Sequence, residues 1–200
     1  MRLCLVLLAS AAAAAAGTIL ADAKGRWRLV YVFKPLTMSL VIALAAVRVP
    51  LDRPAYKTFI LAGLAASLLG DVFMMLRRKR FVEGLAAFLL AHGFYIAAFV
   101  STTGARLSLG TVWPFLVYAI VMMRIVLPRA GRMKGPIVVY IIVITLMAAL
   151  AADRHILLGG AMALSAFAGA LLFVISDSVL AANRFVKKIP FAQALFALSV

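Results

Sequence analysis

Long apolar runs alternate along the chain with short breaks that hold Lys, Arg, Pro or Gly. An apolar helix of about 17 to 25 residues suffices to cross the ~30 Å hydrocarbon layer of a bilayer. Runs of that kind lie near residues 3–21, 29–47, 56–76, 81–101, 107–127, 136–152 and 156–182, and an eighth begins near 189. The eighth has roughly a dozen residues before Val200, which at 1.5 Å per residue reach only about 18 Å, so it is expected to be short or cut off. The pattern predicts an all-α, polytopic transmembrane bundle of about eight spans forming a single membrane domain.

The composition agrees. The chain of 200 residues is 66% hydrophobic, with a mean hydropathy of +1.14, whereas a soluble domain is about half apolar. Its net charge of +15 comes from 21 Lys and Arg against 6 Asp and Glu. Nearly all of these cations lie in short stretches between the runs, where they act as topology signals and meet anionic headgroups. With no polar domain to carry a basic face, a nucleic-acid partner is not expected. The single cysteine, Cys4, sits in the first run and is read as a small packing residue.

Loop charge sets an expected orientation. One side carries Lys24, Arg26, Arg28, then Arg77, Arg78, Lys79, Arg80, then Arg124, Arg129, Arg132, Lys134, then Arg184, Lys187 and Lys188. The other carries Arg2, Arg48, Arg53, Lys57, Arg106 and Arg154. By the positive-inside rule the first side is cytoplasmic and the amino terminus is outside, the expected location being a bacterial inner membrane. MRLCLVLLASAAAAAAG also has the form of a secretory signal, but the basic loop after it favours a retained first helix.

Against this background a few polar residues stand out. Asp71 in LLGDVFMML and Asp177 in LLFVISDSVLA lie inside spans, where a carboxylate costs several kcal/mol unless it is paired, neutralised or wet. Lys34 lies six positions after Arg28, Asp71 six before Arg77 and Asp177 seven before Arg184, which puts all three roughly 9 to 10 Å from the cytoplasmic basic residues. On the same reckoning Glu83 is shallower, at about 4 to 5 Å, and His92 deeper, at about 18 Å. Together they would form the mouth and floor of a cavity open toward the cytoplasm.

Each has a plainer reading. Lys34 can snorkel to the headgroups, Glu83 can serve the helix dipole or pair with Arg80, and His92 can be a satisfied core histidine. Asp71 or Asp177 can form a structural salt bridge, Lys34 being one partner. His155, beside Asp153 and Arg154, is expected in a solvated outer loop. A zinc hydrolase ordinarily uses three protein ligands, and only His92 lies in a span, so neither metal nor cofactor is expected. No Walker loop or G-x-S-x-G elbow occurs, and Ser176 beside Asp177 is not a triad. Buried carboxylates also mark ion paths, so a proton- or ion-coupled transporter of a small or lipid-like solute is the competing function. A short echo, with Phe81-Val82 after Asp71 and Phe185-Val186 after Asp177, fits two parallel four-helix halves.

The strings LLGDVFMMLRRKRFVEGLAAFLLAHGFYIAAF, GALLFVISDSVLAANRF and FKPLTM resemble three blocks of the YhhN family of membrane proteins, in the family's order. Characterised members are lysoplasmalogenases, which cleave the vinyl ether bond of lysoplasmalogen to a fatty aldehyde and glycerophosphoethanolamine or glycerophosphocholine. The resemblance implies that activity, a lysophospholipid substrate among membrane lipids, and polar motif positions at Lys34, Asp71, Glu83, His92, Tyr95, Ser176 and Asp177. Vinyl ether hydrolysis needs an acid to protonate the β carbon and an anion to steady the resulting oxocarbenium ion and activate water. Asp71 and Asp177 are expected to share these roles. Lys34 would hold a carboxylate ionised or bind the lipid phosphate beside residues 77–80, and His92 and Tyr95 would orient water or the glycerol hydroxyl.

Overall fold

The computed structural model describes residues 2–49, 51–76 and 80–186. Among these, seven helices are long and apolar enough to cross a membrane, and there are no strands. They are α1 (Arg2–Ala23), α2 (Trp27–Arg48), α3 (Pro54–Met75), α4 (Phe81–Thr103), α5 (Leu109–Val126), α6 (Lys134–Leu158) and α7 (Gly160–Phe185). Leu, Val and Ile side chains such as Leu8, Val32, Leu90, Ile120 and Leu172 are exposed along them, as suits surfaces that meet lipid tails, where a helix satisfies its own backbone. The expected eighth span, from about residue 189, lies outside the described residues, as do residues 77–79, Lys187 and Lys188.

The chain divides into two compact units, one ending at Ala98 and the other starting at Phe99. In the first, α1 packs on α2 and α2 on α3. The inner face of α1 is a stripe of small residues, Ala11, Ala14, Thr18 and Ala21. Gly17 beside it lets the Phe33 ring of α2 approach within 3.3 Å of where a Cβ would stand. Close approach through small residues is the ordinary means of helix association in lipid, where there is little water to exclude. Pro35 lies inside α2 and has no N–H to give the Tyr31 carbonyl.

In the second unit α6 packs between α5 and α7. Ala119 and Val126 of α5 meet Ile137 and Ile141 of α6, with Ala181 and Phe185 of α7 against them. Two 3₁₀ turns, Leu127–Arg129 and Gly131–Met133, join α5 to α6 and keep Arg124, Arg129, Arg132 and Lys134 exposed. The turn between α6 and α7 takes two consecutive left-handed residues, Gly159 at φ 61° and Gly160 at φ 77°, a geometry costly for any residue with a Cβ.

One expectation fails here. Residues 153–155 are not a solvated loop but belong to α6, and Asp153 and Arg154 are buried. Asp153 Oδ2 accepts hydrogen bonds from the Ser108 backbone at 3.0 Å and Thr111 Oγ1 at 2.7 Å. Arg154 Nε donates to Thr102 Oγ1 at 3.1 Å, and its guanidinium lies 6.0 Å from the Phe99 ring centre. His155 is half-buried and stacked on Phe167, with centroids 5.9 Å apart. Partners on α4, α5 and α7 let the charged stretch remain helical, so Arg154 is a packed residue and not a loop charge.

Candidate functional site

Helix α3 carries Gly63, Ser67, Gly70 and Asp71 at spacings of three and four residues, and all four are buried. Such spacing aligns them on one face. The two glycines set how α4 meets that face. A Cβ at Gly63 would overlap the Tyr95 ring. One at Gly70 would lie 2.9 Å from the ring of Phe88, which is 1% exposed and has no room to yield. Gly70→Ala is therefore expected to destabilise the protein by about 1 to 3 kcal/mol, the usual cost of overpacking, read as a lower unfolding midpoint in detergent. An unchanged midpoint would mean that this contact is loose.

Asp71 is 0% exposed, and Lys34 of α2 places Nζ 2.9 Å from its Oδ1. Lys34 is itself buried, so it does not snorkel to the headgroups; it neutralises Asp71 inside the bundle. The Asp71 Oδ2 atom has no hydrogen-bond partner among the described residues. One turn before Lys34, Tyr31 donates to the Met75 carbonyl at 2.6 Å, one turn after Asp71, so α2 and α3 are joined at two levels. Ser67 Oγ lies 3.2 Å from Tyr95 Oη, and Tyr95 is within electrostatic reach of Asp71. His92, one turn before Tyr95, is fully buried with its ring against the Phe88 backbone. Glu83 is exposed in the first turn of α4, outside this buried group.

The other aspartate has a different environment. Asp177 of α7 is buried and accepts a short hydrogen bond at Oδ2 from the Tyr140 hydroxyl of α6. Tyr118 of α5 pairs with Ser178 at 2.8 Å. Ser176, 2% exposed, has no hydrogen-bond partner for Oγ among the described residues. A phenol thus meets Asp177, and an ammonium meets Asp71.

Of the residues singled out from sequence, the fold gathers Lys34, Asp71 and Tyr95 in the first unit, with His92 a turn from Tyr95. It places Ser176 and Asp177 in the second. Sequence reasoning missed Ser67, Tyr118 and Tyr140. One signal was available: the chain has five tyrosines, all in spans, and a phenol inside a membrane needs a partner for its hydroxyl. No group of three or more His, Cys, Asp or Glu among the described residues is placed to hold a metal ion.

Comparison with known proteins adds a relationship to this geometry. A sequence profile of the YhhN family matches residues 29–199. A protein named "Uncharacterized membrane protein YhhN" from Escherichia coli O6:H1 is 37% identical over 153 residues, covering 74% of this chain and 71% of that protein. "Lysoplasmalogenase TMEM86A" from Bos taurus is 31% identical over 144 residues, and the Homo sapiens protein of that name 34% over 148; each match covers 69% of this chain and 58% of the relative. No solved structure matches the chain.

Proposed function

The chain belongs to the YhhN family, and on that premise we propose that it is a membrane hydrolase that cleaves the vinyl ether bond of lysoplasmalogen. The mammalian relatives named lysoplasmalogenase support the reaction class. The observation that carries it to this chain is the buried Lys34–Asp71 pair, with Tyr95 and Ser67 beside it. Three of these four are family motif positions, and they meet in a buried place where a charge acts strongly.

The chemistry assigns the roles. Protonation of the vinyl ether β carbon gives an oxocarbenium ion, water adds to it, and the hemiacetal collapses to aldehyde and glycerophospholipid alcohol. Asp71, balanced by the Lys34 ammonium, is the ionised carboxylate that steadies the cation and takes the proton of water. The acid that delivers the first proton is the role left to the second motif carboxylate, Asp177, whose Oδ2 accepts from the Tyr140 hydroxyl. Arg80, exposed at the start of α4 in the basic run 77–80, offers the lipid phosphate a charge at the headgroup level. The excess of basic residues in that set of loops supports a cytoplasmic side for that level, with the amino terminus outside.

The test is aldehyde release by the purified protein in detergent micelles. Lysoplasmenylethanolamine or lysoplasmenylcholine is expected to yield aldehyde. The saturated 1-alkyl lysolipid, which has no double bond to protonate, is expected to yield none. If neither vinyl ether lipid is cleaved, and liposome assays instead show ion or proton flux that depends on Asp71, the protein is a carrier.

A further inference from the structure

Hydroxyls in these helices have a common habit. Those of Thr18, Thr37, Ser39, Thr145, Ser165 and Ser178 donate to the carbonyl four residues back, at 3.0, 2.8, 2.9, 2.5, 2.9 and 2.5 Å. Such back-bonding is how Ser and Thr are tolerated inside a helix. Ser67 departs from it. Its Oγ is fully buried and bonds Tyr95 Oη instead.

That departure leaves Ser67 with unused capacity. A serine hydroxyl has one proton to give and two lone pairs to receive, and the Tyr95 bond takes only one of these. Four residues on, along the same face, Asp71 Oδ2 is buried and has no hydrogen-bond partner among the described residues. A buried anionic oxygen without a donor is costly. Neighbours at this helical spacing stand about 5 to 6 Å apart at Cβ, a separation that two hydrogen bonds through a single oxygen can bridge. The Gly63 contact fixes the Tyr95 ring, and the Lys34 pair fixes the other carboxylate oxygen.

We propose that Ser67 Oγ and Asp71 Oδ2 together hold the hydrolytic water, and that Tyr95 sets the sense of the chain, from its hydroxyl to Ser67, to water, to Asp71. The assignment rests on the hydrolase reading and names the residue that delivers water within it. Once the β carbon is protonated, the held water forms a C–O bond to the cationic carbon. Its proton passes to Asp71 Oδ2, leaving a neutral hemiacetal. Collapse then breaks the original ether C–O bond: the ether oxygen takes the proton back from Asp71, and as the aldehyde forms the hemiacetal hydroxyl gives its own to the conjugate base of the acid that protonated the β carbon, which restores that acid. Net, one water is consumed.

A competing nucleophile reads this step apart from protonation. With methanol present at a fixed concentration, the oxocarbenium ion partitions between aldehyde and a methyl acetal, both measurable by mass spectrometry. Ser67→Ala and Tyr95→Phe are expected to raise the acetal-to-aldehyde ratio by about five-fold each, the factor one net hydrogen bond is worth. Ser67→Thr, which keeps the hydroxyl, is expected to retain the wild-type ratio. Unfolding midpoints in detergent identify any variant that fails to fold, and the Tyr95 variant tests the same chain from its other end. Aldehyde formed at the wild-type ratio by both Ser67→Ala and Tyr95→Phe overturns the water assignment while leaving the hydrolase standing. No aldehyde from the wild-type protein overturns both.

Discussion

In Asp71→Asn, aldehyde release from lysoplasmenylethanolamine is expected to fall by about 10²- to 10⁴-fold, the range ordinarily lost with an acid–base group. Asparagine matches the carboxylate in size but brings neither a charge to steady an oxocarbenium ion nor a base to accept the proton of water. The change also leaves Lys34 without the partner that it meets at 2.9 Å, so lost activity has to be separated from lost structure. The double variant Lys34→Met with Asp71→Asn removes both charges and is expected to unfold near the wild-type midpoint while remaining inactive. Asp177→Asn is expected to lose activity to a similar extent, since an amide beside Tyr140 has no acidic proton to deliver. Turnover near wild type in both single variants would remove the carboxylate mechanism.

Lys34→Met is expected to be the most destabilising single change, at about 3 to 5 kcal/mol, because it leaves a carboxylate buried without its counter-charge. Asp71 is 0% exposed. A charge so placed is far more costly than one on a surface, where water screens it. Adding Asp71→Asn to Lys34→Met is expected to recover most of the loss, so the two changes together cost less than the first alone. Denaturant or thermal unfolding in detergent measures both. A Lys34→Met protein as stable as the wild type would show that the pair contributes nothing as a charge pair.

How far the chain could be read beforehand differs from element to element. Span limits were accurate because length and apolarity alone decide what crosses hydrocarbon: the run expected at 29–47 is α2, Trp27–Arg48, and that at 81–101 is α4, Phe81–Thr103. The depth shared by Lys34 and Asp71 also followed from counting residues along two helices, and the two side chains meet. Counting failed at residues 153–155. Two adjacent charges and a histidine read as a loop, yet Ser108, Thr111 and Thr102 satisfy the charges from neighbouring helices. A linear pattern carries no sign that such partners will arrive.

Ser67 shows the same limit at the site itself. In LAASLLGD it is a small residue among small residues, and nothing in its neighbours tells a back-bonded serine from one turned toward another helix. What the sequence determined by itself was the membrane-spanning all-α architecture, the family, and the ionisable residues worth attention, because hydropathy, charge and motif spacing are properties of the chain alone. Tertiary structure decided who partners whom: Lys34 with Asp71, Tyr95 with Ser67, Tyr140 with Asp177. The Tyr95–Ser67 pairing depends on how closely α3 and α4 approach, which Gly63 and Gly70 control through their contacts with Tyr95 and Phe88. In hydrocarbon a polar group takes whichever partner packing brings within about 3 Å, so these partners were set only when the helices met.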